Sequence, residues 1–287
     1  MMFLDAAPII NGTYDANDQA VVQIYAYPPT KDTLYTCTGT LISTTHVLAA
    51  AHCFAHDANY IYGILTEPNG NDYHGQISQV ESHLKMAASV TMNPTYAPQS
   101  ATFLGDIGIL TLAAPITDIT PLQFNRTAPD ASMVGAQVTI IGYGQTSYGT
   151  NQNNKYSATT TITNLDNGAD TITVGGSGAD PRSCLGDSGG PVLLNNVVLG
   201  VDSYAPVGCT DPAHYRRADY YQDWIDSVLD PSTGSGSDMG SNTGSDTGSG
   251  SDDTTQPSHT EPGGCNAGHN AGILVALSVI LVRRRRK

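Results

Sequence analysis

Basic residues are scarce in this chain of 287 residues, which holds 12 Lys and Arg against 26 Asp and Glu, for a formal net charge of −14. Nucleic-acid phosphates are bound by clustered Lys and Arg, so this balance argues against a nucleic-acid partner. It also argues against adsorption on anionic lipid. An acidic surface that keeps the protein soluble is the simpler interpretation. The sequence contains no CxxC pair, and no cysteine spacing resembles a zinc site, so no metal site is expected.

Turn-forming and strand-forming residues, by contrast, are abundant. The chain has 30 Gly, 16 Pro and 15 Tyr, with many Thr, Val and Ile. This composition predicts an all-β protein rich in turns. Apolar or β-branched runs bounded by turn residues predict strands at Val21–Tyr27, Val138–Ile141, Thr159–Thr163, Thr171–Val174 and Val197–Val201. One helix is predicted at Tyr220–Leu229, ending before Pro231.

The composition divides the chain into four segments. Residues 1–8 lack the basic start and apolar run of a signal peptide, and we expect them to be the remnant of a leader or propeptide. Residues 9–230 form the folded domain. Residues 231–264 consist largely of Ser, Gly, Thr, Asp and Pro, which predicts a disordered linker. Residues 265–287 contain Cys265, an apolar run and a basic end.

A glycine-rich segment, Gly186–Pro191 (GDSGGP), surrounds Ser188. A serine hydroxyl becomes a strong nucleophile only when a base takes its proton and donors stabilise the oxyanion that forms. Glycines allow the tight turn that points several backbone N–H groups at one place. Structural turns of this composition are common, so the segment alone is weak support for catalysis.

Two further segments supply the partners that such a serine needs. His52 follows the small apolar run of Thr45–Cys53 (THVLAAAHC). Asp106 stands at the head of the strand-like stretch Leu104–Leu112 (LGDIGILTL). A histidine, an aspartate and a serine in this chain order, each in a distinctive context, resemble the trypsin/chymotrypsin-like serine peptidases. Other blocks that match the family in order are Cys37–Ile42, Gly142–Gly144, Cys184–Pro191, Ser203–Cys209 and Asp223–Ile225.

The resemblance implies two packed antiparallel six-stranded β-barrels with a C-terminal helix, in a serine endopeptidase that acts on proteins or peptides. It implies that Ser188 is the nucleophile, His52 the general base and Asp106 the residue that orients His52. The backbone N–H groups of Gly186 and Ser188 would form the oxyanion hole. Ser203 would hydrogen-bond Asp106, and Ser203, Tyr204 and Ala205 would pair with the substrate as an added strand. No cofactor is expected, and we expect a monomer.

The five cysteines leave one unpaired in any set of disulfides. The resemblance implies the pairs Cys37–Cys53 and Cys184–Cys209, and two such pairs imply an oxidising compartment. The remaining histidines, His46, His56, His74, His83 and His214, are interpreted as structural or surface residues. The polar loop with Glu67, Asn69, Asn71 and Asp72 corresponds to a calcium loop in some relatives, but a solvated turn is the simpler interpretation.

The primary-specificity position departs from the trypsin pattern. It stands six residues before the nucleophile, where trypsins carry Asp, and here it is Arg182, with Ala205 and Ala213 at the pocket walls. A cation at the pocket base repels a basic side chain, so we expect that cleavage after Lys or Arg is not the main activity. One hypothesis is a preference for an acidic residue before the cleaved bond. The other is that Arg182 turns away to pair with an outside acid and leaves a small neutral pocket.

Activation is the second departure. Ile9 begins a segment (IING) that resembles the family's mature N-terminus, whose free amine would pair with Asp187. Pro8 precedes Ile9, and bonds after Pro are poor substrates for most activating peptidases. Either an unusual peptidase cuts there or an intact N-terminus is tolerated, and we expect the uncleaved chain to be a zymogen or weakly active. Because the predicted disulfides imply export, we expect that the true start lies upstream or that the sequence is truncated.

The last 23 residues resemble the C-terminal sorting tags of some Gram-negative bacteria, of the myxobacterial type. As a helix, Ala271–Val282 would span about 18 Å, short of the ~30 Å hydrocarbon core of a membrane. Arg283–Lys287 would stay cytoplasmic. We expect this segment to anchor the protein transiently at the inner membrane. A processing enzyme would then cleave the chain near Cys265, whose thiol is a candidate for lipidation, and the protein would be displayed at the cell surface or released. A plain single-span anchor is the alternative.

Two classes of function remain. The first is an active exported endopeptidase. The second is an inactive homologue that serves as a surface binding module, which loss of a triad residue would indicate. All three residues are present in the sequence. An esterase shares the acyl-transfer chemistry, but the resemblance favours peptide bonds.

Overall fold

The computed structural model describes residues 9–73, 76–100, 102–147, 150–151, 153–165 and 170–231. These residues form sixteen strands and two α-helices. The strands are β1 (Thr13–Tyr14), β2 (Val21–Tyr27), β3 (Tyr35–Leu41), β4 (His46–Ala49), β5 (Ile61–Leu65), β6 (Lys85–Met92), β7 (Gly108–Leu112), β8 (Gln123–Phe124), β9 (Gln137–Gly142), β10 (Gln145–Ser147), β11 (Thr150–Asn151), β12 (Tyr156–Leu165), β13 (Thr171–Val174), β14 (Pro191–Leu194), β15 (Val197–Tyr204) and β16 (Ala213–Arg217). The helices are α1 (Ile77–Val80) and α2 (Gln222–Leu229).

The first barrel closes in the order β2-β3-β4-β7-β6-β5. Its pairings are antiparallel, and β2 contacts both β3 and β5, so every residue of β2 is buried. Closure leaves no unpaired edge strand, which is how small barrels avoid edge-to-edge association. His52 lies in a 3₁₀ turn just after β4, and Asp106 lies just before β7. The first barrel therefore supplies both of these side chains, because β4 and β7 are neighbours in it.

The second barrel closes in the order β9-β12-β13-β16-β15-β14, because β9 pairs with both β12 and β14. β1 adds to β12, and β8 pairs in parallel with β15. The segment that holds Ser188 precedes β14, and Ser203 lies in β15. The second barrel thus supplies the serine block.

The two barrels share apolar packing. The largest buried cluster joins first-barrel residues such as Ile24 and Leu48 with Ile141 and Val201 of the second barrel and with Ile225 of α2. A second cluster fills the other barrel around Ile140, Val192 and Tyr215. Burying apolar surface at about 25 cal/mol per Å² makes such clusters the main favourable term in folding. The contact between the barrels fixes the segments that carry the site.

The predicted architecture of two six-stranded barrels and a C-terminal helix is confirmed. The helix begins at Gln222, two residues later than predicted, because Tyr221 has a non-helical backbone with φ −102° and ψ 11°. The expectations for segments 1–8, 231–264 and 265–287, including Cys265 and the apolar run, fall outside the described residues apart from Pro231. Within the described part of the chain, no helix is long and apolar enough to cross a membrane.

Candidate active site

Asp106 is completely buried and accepts hydrogen bonds from two groups of His52. The backbone N–H of His52 donates to Asp106 Oδ1 at 2.8 Å, and the imidazole Nδ1 lies 2.8 Å from Oδ2. The second contact fixes the ring orientation and places the proton on Nδ1, so Nε2 is left free to accept a proton. The His52 side chain remains 23% exposed, which keeps it accessible to a substrate.

Ser203 completes the set of donors around this carboxylate. Its hydroxyl donates to Asp106 Oδ2 at 2.6 Å. Burial raises the pKa of Asp106, but the positive charge of His52 and the hydrogen bonds from His52 and Ser203 outweigh burial, and the pKa ends below its usual value. Burial lowers the pKa of His52, and the charge and hydrogen bond of Asp106 outweigh that effect and raise it above 6.5. The predicted contact between Ser203 and Asp106 is present.

Ser188 lies against the loop that carries His52. Its carbonyl oxygen accepts from Thr38 N at 2.8 Å and lies 3.7 Å from Cys53 Sγ. Gly189 is positioned so that a side chain there would collide with Thr38 O at 2.3 Å, which shows how closely the two loops meet. Among the described residues no hydrogen bond joins Ser188 Oγ to His52, and such bonds are often long before a substrate binds.

The backbone N–H groups of Gly186 and Ser188 face no acceptor among the described residues. Neither Gly186 N nor Ser188 N donates to any described residue, so both remain available. Gly186 has φ +95°, a conformation that glycine adopts without strain, and a Cβ there would lie 2.8 Å from Gly144 Cα. The turn is also held by Thr38 Oγ1, which donates to Gly186 O at 3.0 Å. Two free N–H groups, that of the candidate nucleophile and that of the residue two positions before it, are what an oxyanion hole requires.

Asp187 is almost completely buried and points away from Ser188 into the second barrel. Its oxygens accept from Gly144 N at 2.8 Å and from Cys184 N at 2.9 Å. Burial raises the pKa of Asp187 to about 8, with a further increase from Asp202, while backbone N–H groups, including that of Ile9, lower it. Ile9 is itself 1% exposed. The structure therefore brings together the two residues predicted to form the activation contact.

Arg182 is buried, and backbone carbonyls hold its guanidinium. Nε donates to Cys209 O at 2.5 Å, and one terminal nitrogen donates to Gly178 O at 3.0 Å and Asp180 O at 2.8 Å. No carboxylate lies within ion-pair distance of it among the described residues. This corrects the hypothesis that Arg182 pairs with an outside acid: three carbonyl dipoles take that place. Of the two predicted wall residues, Ala213 is fully buried and Ala205 is partly buried.

Both implied disulfides, Cys37–Cys53 and Cys184–Cys209, are present in the structure. The first joins β3 to the His52 turn, and the second joins the Ser188 segment to the chain after β15. Cross-links of this kind restrict the unfolded chain and hold the loops that carry the site. Cys53 directly follows His52, so the first disulfide ties the His52 turn to β3. Cys184 shortly precedes the GDSGGP segment, so the second disulfide ties that segment to the chain after β15.

Three contributors to the site were not predicted. Thr38 links the loops by accepting from Tyr143 N at 3.0 Å while its hydroxyl donates to Gly186. His214, predicted to be structural or at the surface, stacks on Tyr204 with ring centroids 4.4 Å apart. Asp202 is a buried carboxylate one residue before Ser203. A charged residue inside the apolar run Val197–Tyr204 is a signal that would have identified Asp202, whereas nothing in the sequence marks Thr38.

One group of three ligand-type side chains, Cys37, His52 and Cys53, lies close together in the described part of the chain, and its two sulfurs are bonded to each other. In the polar loop, Asn69 instead accepts a hydrogen bond from the Tyr14 hydroxyl, and Glu67 faces His83 at 3.8 Å. Two of the four side chains in the loop that corresponds to a calcium loop in some relatives, Asn69 and Glu67, therefore contact other side chains of the protein.

Comparison with known proteins gives one consistent result. The family profile described as Trypsin matches residues 10–225. A trypsin from Saccharopolyspora erythraea is 30% identical over 206 residues, which covers 65% of this chain and 84% of that protein. A trypsin from Phaedon cochleariae is 30% identical over 216 residues, with coverage of 66% and 77%. Mouse neuropsin, a serine protease, has the same fold with a TM-score of 0.60 and 21% identity, over 76% of this chain and 99% of that one.

Proposed function

This chain belongs to the trypsin family and is a serine-type endopeptidase, and on that premise we propose that Ser188, His52 and Asp106 catalyse hydrolysis of the peptide bond. Ser188 Oγ attacks the carbonyl carbon while His52 Nε2 takes its proton. His52 then gives that proton to the leaving amine, and an acyl-enzyme remains. Water then attacks the ester while His52 takes one of its protons, the bond between the acyl carbon and Ser188 Oγ breaks, and His52 returns the proton to Oγ as the acid product leaves. Asp106 holds the imidazole and stabilises its positive charge. Because the bond that is hydrolysed is a peptide bond, the substrates are proteins or peptides.

The observation that carries the assignment is the chain of contacts from Ser203 through Asp106 to His52, next to two free backbone N–H groups. The N–H groups of Gly186 and Ser188 would bind the oxyanion of the tetrahedral intermediate, which is worth ~3–4 kcal/mol per donor in comparable enzymes. We infer that Ser203, Tyr204 and Ala205 pair with the substrate backbone, because β15 ends beside the site.

The deciding experiment is covalent labelling of the purified full chain, and of a form processed to begin at Ile9, with a fluorophosphonate probe. We expect labelling of the wild type and none of Ser188→Ala. Ser227→Ala is the matched control, since its hydroxyl is exposed on α2 and donates to Trp224 O. Absence of labelling in folded, disulfide-bonded wild type would reject the proposal and favour the binding-module alternative.

We propose that activation requires a free amine at Ile9. Asp187 is a buried carboxylate with no cation within ion-pair distance in the described structure, and Ile9 already lies beside it. An ammonium group at Ile9 would supply that partner, because a buried carboxylate is stabilised strongly by a paired cation. Mass spectrometry of the mature N-terminus tests this proposal: a start at any residue other than Ile9 in the active enzyme contradicts it.

We also propose that cleavage after Lys or Arg is not the main activity. Arg182 stands at the predicted base of the pocket, and its burial and its bonds to three carbonyls support a fixed positive charge there. A second cation beside it would be repelled in a low-dielectric site. Profiling with a peptide library tests this expectation, and dominant cleavage after Arg would contradict it.

The proposals on export and the C-terminal segment rest on sequence and on the disulfides. We propose that the enzyme is exported, held transiently at the inner membrane by residues 265–287, and cleaved near Cys265 by a processing enzyme before it reaches the cell surface or is released. Two disulfides support an oxidising compartment. Fractionation of cells that express the wild type and Cys265→Ala tests this, and identical distribution and C-termini would reject a role for Cys265.

A further inference from the structure

Asp202 is a buried charge that the catalytic mechanism does not use. It lies in β15 directly before Ser203 and is 4% exposed. Its backbone holds the segment after the nucleophile, because Gly189 N donates to Asp202 O and Asp202 N donates to Gly190 O, both at 2.8 Å. The residue is therefore fixed just behind Ser188.

The neighbours of this carboxylate come from segments of the predicted specificity pocket. On one side is Ser183, which follows Arg182 and lies near enough to lower the pKa of Asp202. On the other is Tyr215, the register partner of Asp202 in β16, two residues after the wall residue Ala213. The charge of His52 also lowers the pKa of Asp202, which locates the carboxylate within electrostatic range of the catalytic imidazole.

Asp202 Oδ1 is buried, and the hydroxyl of Ser183 is a hydrogen-bonding neighbour that lowers the pKa of Asp202. The contact falls outside normal hydrogen-bond geometry, so neither atom has a well-formed bond to a described residue. No cation lies within ion-pair distance of Asp202 in the described chain. Burial raises the pKa of Asp202 to about 7, and the charge of Asp106 contributes to the increase. Buried polar atoms are rarely left unsatisfied unless a ligand or water pairs with them, so this pair is suited to receive a group that donates hydrogen bonds.

We propose that Asp202 is a specificity-determining residue, whose carboxylate accepts a hydrogen bond from a neutral donor side chain, that of Gln or Asn, at the substrate residue before the cleaved bond. A carboxamide satisfies Asp202 Oδ1 without adding positive charge near Arg182. A Lys or Arg side chain also donates, but it brings a second cation near Arg182. A Glu side chain places an acceptor against an acceptor. This inference rests on the proposed function of the site.

The test compares four peptides that differ only at that residue: Gln, Met, Glu and Lys. Met matches Gln in length but has no donor, and Glu matches Gln in shape but presents an acceptor. We expect kcat/KM for the Gln peptide to exceed that for the Met peptide by about 10- to 100-fold, because the lost bond involves a charged, buried acceptor. The Glu peptide should be cleaved more slowly still, and the Lys peptide more slowly than Gln.

Variants of the full chain, activated like the wild type, then assign the preference to Asp202. In Asp202→Leu the ratio between the Gln and Met peptides should fall to about 1 or lower, since no acceptor remains. Asp202→Asn keeps one acceptor oxygen and should retain part of the ratio. Asp223→Leu makes the same chemical change at an exposed residue of α2 and should leave the ratio as in the wild type.

Fluorophosphonate labelling separates the two levels of the argument. Failure of the wild type to label rejects the proposed function itself. Labelled wild type and Asp202→Leu with the same preference among peptides would reject the role of Asp202 alone. A wild-type preference for Lys, Glu or Met over Gln would also overturn the proposal, without any dependence on how the variant folds.

Discussion

Replacement of Ser203 by Ala tests the contact that completes the Asp106 environment. In the structure, one carboxylate oxygen, Asp106 Oδ2, accepts both from Ser203 Oγ at 2.6 Å and from His52 Nδ1 at 2.8 Å. Removal of the hydroxyl leaves Oδ2 with a single donor, so the carboxylate becomes more basic and binds the imidazolium more strongly. We therefore expect the pKa of Asp106 and the pKa of His52 both to rise.

The size of the effect follows from the kind of bond that is lost. A hydrogen bond to a charged group contributes about 1.5–3 kcal/mol, and one pKa unit corresponds to about 1.4 kcal/mol. The hydrogen bond from Ser203 is lost whether His52 is neutral or protonated. The pKa of His52 therefore changes only by the difference between the two losses, and we expect it to rise by about half a unit, with ~1–2 units as the upper limit. Less secure positioning of Asp106 and His52 should also lower kcat/KM by about tenfold.

The assay is the pH dependence of kcat/KM for a peptide substrate between about pH 5 and 10. His52 must be neutral to accept the proton of Ser188, so activity rises with pH through the pKa of His52. Its pKa is raised in the wild type, which puts the midpoint above 6.5. In Ser203→Ala the midpoint should move further up, and in Ser227→Ala it should stay in place. A midpoint that moves down, or an unchanged profile with unchanged kcat/KM, would refute this reasoning.

Three further predictions concern stability and the oxyanion hole. Arg216 is fully buried and donates to Asp170 Oδ1 at 2.5 Å, so Arg216→Leu should cost about 3–5 kcal/mol in urea unfolding by leaving an unpaired buried carboxylate. Addition of Asp170→Leu should recover part of that loss, and a fully additive double variant would contradict the pairing. Removal of the disulfide Cys184–Cys209 by two Ala substitutions should cost about 3 kcal/mol, and an unchanged urea midpoint would contradict this. Gly186→Ala should lower kcat at least about 100-fold with smaller effects on KM, because the added Cβ meets Gly144 and displaces an oxyanion donor; normal kcat would argue against that donor.

Much of the framework is predictable because it depends on local pattern. Apolar or β-branched runs bounded by turn residues predicted strands such as β2 and β13 at their observed bounds. Small residues and glycines mark the loops around His52 and Ser188, where close approach of two backbones leaves no room for larger side chains. The limits of α2 were less predictable, since the backbone angles of Tyr221 depend on the packing around it.

By itself, the sequence determined the fold class, the chain order of His52, Asp106 and Ser188, and the family resemblance that implied both disulfides. These features are carried by residue identity and spacing, which are read directly from the order of residues in the chain. The tertiary structure alone decided what surrounds the buried charges. The carbonyls that hold Arg182 and the walls that enclose Asp202 come from segments distant along the chain, and the sequence does not show which side chain they surround. Electrostatic environment is a property of packing, and packing is fixed only when both barrels are closed.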